Sequence, residues 1–90
     1  MSLKCECTKN INIVEIDNEW IVMDTENFTI TKVNAIGAYI LEEVRGQKEI
    51  EDIIRNIAAN YDVDLNMARS DVLVFLEELK ELGLIQNGRA

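Results

Sequence analysis

The feature that most constrains this chain is a change of period at residues 33–34. "FTITKV" (residues 28–33) alternates as a strand does, with Phe28, Ile30 and Lys32 on one side and Thr29, Thr31 and Val33 on the other. "NAIGAYILEEVRG" follows at once with Ile36, Tyr39, Ile40 and Val44 at helical spacing. Asn34 is placed to cap that helix, because its side-chain oxygen can accept from an amide of the first turn. A strand that runs into a helix without a linker must pack beside it.

The elements on either side follow the same two periods. "INIVEIDNEWIVMD" reads as a hairpin turning at Asp17-Asn18-Glu19, and a second turn at "DTEN" leads into the third strand. Downstream, Gly46 is expected to supply the left-handed residue that ends the first helix. A second helix spans about residues 49–60 with Ile50, Ile53, Ile54, Ile57 and Ala58 inward. Asp64 caps a third, about residues 65–82, and Gly83 stops it. Leu65, Ala68, Val72, Phe75, Leu76, Leu79 and Leu82 form its expected core stripe. The fold class is therefore α+β: a three-stranded antiparallel β-meander followed by three helices, an order like that of a winged helix-turn-helix. Ninety residues make one domain, read as residues 11–86 after a flexible N-terminal segment 1–10 and before a tail 87–90.

Charge narrows the partners. The chain carries −8 with no histidine, a surface that repels phosphate backbones and anionic membranes. No apolar run approaches the roughly 18 residues of a membrane span, and "MSLKCECTKN" lacks a signal peptide's apolar segment. A cytoplasmic location is the expectation. Cys5 and Cys7 are one residue apart, which strains a mutual disulfide, and two thiols without histidine do not complete a four-ligand zinc site. Reduced thiols and no metal are expected.

Catalysis finds no footing either. Proton and acyl transfer need a nucleophile beside a base, most often histidine. The carboxylate pairs Glu42-Glu43 and Glu77-Glu78 read as solvated helix surface, and the four glycines are scattered rather than grouped in a phosphate loop. Asp62 and Asp64 lack the glycine and closing glutamate of a calcium loop. No enzyme and no cofactor is expected. A DNA-binding winged helix is the rival reading, but residues 62–85 hold six acids against two bases, a local charge of −4, on the helix that would have to approach phosphates.

Off the core stripe of the third helix lies a second row: Met67, Asp71, Val74 and Glu78, spaced i, i+4, i+7, i+11. Two apolar residues alternating with two carboxylates are either scattered surface residues or a wall that meets something outside the core.

"VNAIGAYILEEVRG", "IEDIIRNIAANYDVD" and "SDVLVFLEELKELGLI" together resemble the PqqD family, the small peptide chaperones of coenzyme PQQ synthesis. The wider class is the recognition element of ribosomally made, modified peptides. The resemblance rests on Asn34 before Gly37-Ala38, Gly46, Ile50 and Ile53, "YDVD", Asp71-Val72 before Phe75-Leu76 and Leu79, and the final "GLI". It covers about residues 11–86. Val33 departs from the usual leucine, and Lys48 from a threonine or serine cap worth about 1 kcal/mol.

The resemblance implies a non-catalytic carrier. It would bind the leader of a precursor peptide and present it to a modifying enzyme, such as a radical SAM protein or a leader peptidase. The leader would add as a strand to the third strand and lie against the third helix. The implied binding residues are Phe28, Thr29, Ile30, Thr31, Lys32 and Val33 on the edge, with Met67, Asp71, Val74 and Glu78 on the helix wall. Asp71 and Glu78 would meet basic leader residues, and Lys32 an acidic one. Such an edge can also pair with its own copy and give a homodimer.

Overall fold

In chain order the computed structural model runs β1 (Cys5–Cys7), β2 (Ile11–Ile16), β3 (Glu19–Asp24), β4 (Thr29–Val33), α1 (Ala35–Arg45), α2 (Ile50–Tyr61), α3 (Leu65–Glu81) and β5 (Ile85–Asn87). It describes residues 4–8 and 10–88. Strands β2, β3 and β4 form the expected meander, in that spatial order and antiparallel throughout.

Two turns set its register. Asp17 and Asn18 both take positive φ, 51° and 66°, as a two-residue type I′ turn requires. Asp and Asn are the side chains that tolerate this best after glycine. The turn between β3 and β4 is organised by the Asp24 carboxylate, buried at 3% exposure. Its oxygens accept from the Glu26 N–H (2.8 Å), the Asn27 N–H (3.1 Å) and the Asn27 side-chain amide (3.0 Å). Phe28 closes this turn with φ 57° and donates its N–H to the Asp24 carbonyl at 2.9 Å. Phe28 is thus a turn residue, not the first residue of the strand, because the Asp24 turn takes up one residue more than the polar run suggests.

The helices start where the capping residues demand. The Asn34 side chain accepts from the Gly37 N–H at 2.8 Å, and the Asp64 carboxylate accepts from the Met67 N–H at 2.8 Å. Glu49 stands at the start of α2 and makes no side-chain cap. The end of α1 differs from expectation: Gly46 has φ −76°, and Gln47 takes the left-handed conformation at φ 62°. The chain reverses one residue later, with the Gln47 N–H bonded to the Val44 carbonyl.

Ile11 and Val22 of the sheet, Ile40, Leu41 and Val44 of α1, Ile53, Ile54 and Ile57 of α2, and Ala68, Val72, Leu76 and Leu79 of α3 make the core. Each buried aliphatic side chain contributes about 1.5–3 kcal/mol. Leu65 and Leu82, expected on the core stripe, are 51% and 52% exposed. Both lie at the ends of α3, Leu65 as its first residue and Leu82 as its C-cap.

The segment expected to be flexible contributes structure. Cys5–Cys7 pairs antiparallel with Ile85–Asn87, Cys5 opposite Asn87 and Cys7 opposite Ile85, so the expected tail also begins inside a strand. Cys5 is 2% exposed and part of the core. Three alternating residues are too few to register as a strand on their own; the pairing is supplied by a segment 80 residues away.

Candidate functional site

The turn chemistry decides which backbone groups β4 leaves free. A two-residue type I′ turn makes its flanking residues, Ile16 and Glu19, a hydrogen-bonded pair. Along β3 the bonding direction alternates, so Glu19, Ile21 and Met23 face β2, and Trp20, Val22 and Asp24 face β4. Their partners on β4 are Val33, Thr31 and Thr29. Ile30 and Lys32 therefore turn their N–H and C=O groups away from β3, onto an edge that pairs with no other strand among the described residues. That edge offers two donors and two acceptors in strand geometry.

Beside it runs a groove of about 180 Å³ lined by Lys32, Val33, Asn34 and Gly37 on one wall and Phe75, Glu78, Leu79 and Leu82 on the other. The Asn34 cap seats the first turn of α1 against the strand end. Gly37 keeps the floor open: a Cβ there would stand 3.2 Å from Asn34 Oδ1, 3.5 Å from Val33 Cβ and 3.7 Å from the Phe75 ring. Lys32 and Glu78 bring opposite charges to a slot otherwise lined by Val33, Gly37, Phe75, Leu79 and Leu82 with the polar Asn34. Lys32 Nζ also lies 3.3 Å from Glu19 Oε2, and both side chains are mostly exposed, so water screens this pair and leaves the ammonium available.

Of the ten residues implied by the resemblance, Lys32, Val33 and Glu78 line this groove. Thr29, Ile30 and Thr31 belong to the edge strand, with Thr31 half-buried on the helix side and Ile30 68% exposed on the other. Phe28 is displayed on the turn at 89% exposure. Met67 and Val74 are each 54% exposed, Asp71 is exposed too, and none of the three lines the groove. They sit on earlier turns of α3, and Glu78 continues their row into the slot.

The reading of spacing alone missed Phe75 and Leu82, which it assigned to the core, and Asn34 and Gly37, which it treated as structural. Phe75 is half-buried at the boundary of core and groove, and no periodicity separates these two roles. The signal that was present is the position of Leu82, four residues beyond Glu78 on one helix face.

Two other recesses differ in character. One of about 630 Å³, between β1, the start of β2, the β3–β4 turn and the end of α1, is lined mostly by polar groups including Glu6, Asn10, Asn12, Glu26 and Arg45. It is larger than the groove and borders the start of β2, the other outer strand of the sheet, but its surface is mostly polar. The other, of about 230 Å³, is walled by Trp20, Tyr39 and Tyr61, with the two tyrosine rings edge-to-face at 6.4 Å.

Among the described residues no group of three or more His, Cys, Asp or Glu is arranged to hold a metal. The thiols of Cys5 and Cys7 are both free, and burial raises the pKa of each, opposed by Lys80 for Cys5 and by Arg45 for Cys7. They stay protonated and weakly nucleophilic. No helix among the described residues is long and apolar enough to cross a membrane.

Known proteins share this architecture. The chain is similar to the structure of TbiB1 in complex with the TbiA(beta) leader peptide, with a TM-score of 0.76, 26% identity, and 94% of this chain and 98% of that one covered. A lasso peptide synthetase B1 complexed with the leader peptide shares the fold, at a TM-score of 0.76 and 18% identity over 92% of this chain and 98% of that one. No curated protein sequence matches significantly. The profile of coenzyme PQQ synthesis protein D (PqqD) matches residues 19–85, a span that holds β3, β4, all three helices and both walls of the groove: the chain belongs to the PqqD family.

Proposed function

We propose that this protein is a non-catalytic carrier that binds the leader of a ribosomally made precursor peptide and presents it to a modifying enzyme. The leader joins the sheet as a fourth strand along Ile30 and Lys32, and its inward side chains enter the slot between Val33 and Phe75. The observation that carries this reading is the conjunction of an edge strand unpaired among the described residues with an apolar groove alongside it. The leader-bound structure of TbiB1, alike over nearly its full length, supports the same reading. A cytoplasmic site of action accords with it, and the domain read as residues 11–86 is extended by the β1–β5 pair.

The magnitudes fit a carrier. Four strand hydrogen bonds at about 1 kcal/mol net each and three half-buried apolar side chains at about 1.5 kcal/mol each give roughly 8–9 kcal/mol. Association costs at least about 4 kcal/mol, which leaves affinities in the hundreds of micromolar. Tighter capture must come from the charged rim. A leader residue paired with Lys32 or Glu78 adds up to about 1 kcal/mol at these exposures. Beyond the paired strand, a longer leader runs along α3 past Val74, Asp71 and Met67.

The test is an amide-resolved NMR titration with the N-terminal half of a precursor peptide encoded beside this chain. Shifts concentrated on residues 29–34 and 75–82, with slowed exchange of the Ile30 and Lys32 amides, are expected. Shifts confined to the polar recess near Arg45, or no binding at all, would overturn the proposal.

A further inference from the structure

The three-stranded sheet has two faces, and the helices cover one. Ile11 and Val22 on that side belong to the core, and Ile13 and Val33 pack against it. The opposite face carries Val14, Ile16, Ile21, Met23 and Ile30, gathered by a register that sets Val14 beside Ile21 and Met23 beside Ile30. None of these five is in the core or packed against it. Ile16 and Ile30 are 54% and 68% exposed. An antiparallel sheet with one wet face ordinarily alternates apolar inward and polar outward. Here five outward positions spread over all three strands are apolar, with Asn12, Glu19 and Lys32 at the margins, and a contiguous patch of this kind marks a protein contact.

We propose that this helix-free face docks the enzyme that modifies the peptide held at β4, through an apolar surface bordered by Lys or Arg. The inference rests on the leader-binding reading above. The leader itself reaches only the Ile30 margin of the patch: at about 4.8 Å per strand, a chain added outside β4 lies roughly 14 Å from β2, where Val14 and Ile16 reside. A second copy is opposed by charge. Each chain carries −8, and the border of the patch, with Asp17 at the β2–β3 turn and Glu19 paired to Lys32, stays net acidic, so two such faces would press like charges together. On a basic partner the same border attracts.

The face is also continuous with the peptide edge. A leader paired to β4 widens the sheet, and its outward side chains join Ile30 and Met23 on this surface. A partner seated there touches protein and peptide at once, and so binds the loaded carrier more tightly than the empty one.

The test uses the full chain, a synthetic leader, and the peptide-modifying enzyme encoded beside this chain, immobilised for biolayer interferometry. Ile16→Lys places a cation in the apolar patch and offsets its acidic border at an exposed site remote from β4; Ile16→Thr and Ile21→Thr, which retain strand propensity, serve as variants should the lysine unfold the sheet. Enzyme affinity is expected to fall at least tenfold while leader affinity stays within twofold, and leader-loaded protein is expected to bind the enzyme better than empty protein. Unchanged enzyme affinity overturns the docking face. So does a parallel loss of leader affinity, or a dimer in sedimentation velocity that these substitutions dissociate. Failure of the unsubstituted protein to bind the leader overturns the carrier reading itself, a separate outcome seen before any variant is made.

Discussion

Ile30 stands opposite Met23 in the β3–β4 ladder, yet its own N–H and C=O point away from Met23, onto the free edge. A proline at position 30 therefore removes no bond of the sheet. It deletes one edge donor and places a ring where an incoming strand must lie. Ile30→Pro is expected to weaken leader binding at least fivefold, with the circular dichroism spectrum unchanged. Isothermal titration calorimetry measures the first, and an unaltered affinity refutes the edge assignment.

Leu82 and Met67 have nearly the same exposure, 52% and 54%, but only Leu82 lines the groove. Replacing a half-buried leucine by a polar residue at a binding surface costs about 1 kcal/mol. Leu82→Gln is expected to reduce leader affinity roughly fivefold, and Met67→Gln less than twofold. Fluorescence polarisation with a labelled leader separates the two, and the reverse ranking would move the site to the N-terminal half of α3.

Phe28 holds a left-handed conformation, φ 57°, with 89% of its surface exposed, so it gives up backbone strain for almost no burial. Glycine relieves about 1 kcal/mol of such strain, partly offset by its larger unfolded-state entropy. Phe28→Gly is expected to leave the thermal midpoint equal or a few degrees higher and to lower leader affinity, since the ring is displayed at the start of the edge strand. Calorimetry of both quantities checks this; a clear loss of stability with unchanged binding would make Phe28 a structural residue.

The buried thiols give a pH dependence with a definite sign. Burial raises the pKa of Cys5 and Cys7 above the ordinary 9.0, so the folded state holds these protons more tightly than the unfolded one. Their contribution is complete below the unfolded value and is lost as pH rises through the raised folded values. Urea midpoints for the native chain are expected to fall more steeply above about pH 9 than those of a Cys5→Ala, Cys7→Ala variant. Identical slopes would show that the thiols are not desolvated. At about pH 8 both should react slowly with a thiol-specific reagent until the chain is unfolded.

Much of the fold could be read along the chain because the signals are local. Asn34 and Asp64 cap the helices they immediately precede, Gly83 ends α3 at φ 77°, and the alternation from Thr29 to Val33 needs only its own residues. Expectations failed where the outcome depended on distant chain. Cys5 is buried because Asn87 and its neighbours pair beside it. Gln47 rather than Gly46 turns the chain because the reversal must deliver α2 to its place on α1. Lys32, Val33 and Glu78, singled out along the chain, line the groove, and Phe75, Leu79 and Leu82 join them there through the packing of α3.

The order of the meander and the three helices, their periods and N-caps, the acidic charge and the lack of histidine chemistry were settled by sequence alone, since each is read from composition or from neighbours within a few residues. Which backbone groups of β4 stay free was settled only by the fold, through a bonding phase handed from the Asp17–Asn18 turn across β3 to Ile30 and Lys32. The placement of α3 beside the sheet likewise decided that Phe75 and Leu82 line the groove next to Lys32 and Val33. Helical spacing specifies a direction around an axis; where the axis lies relative to a strand is a property of packing between segments far apart in the chain.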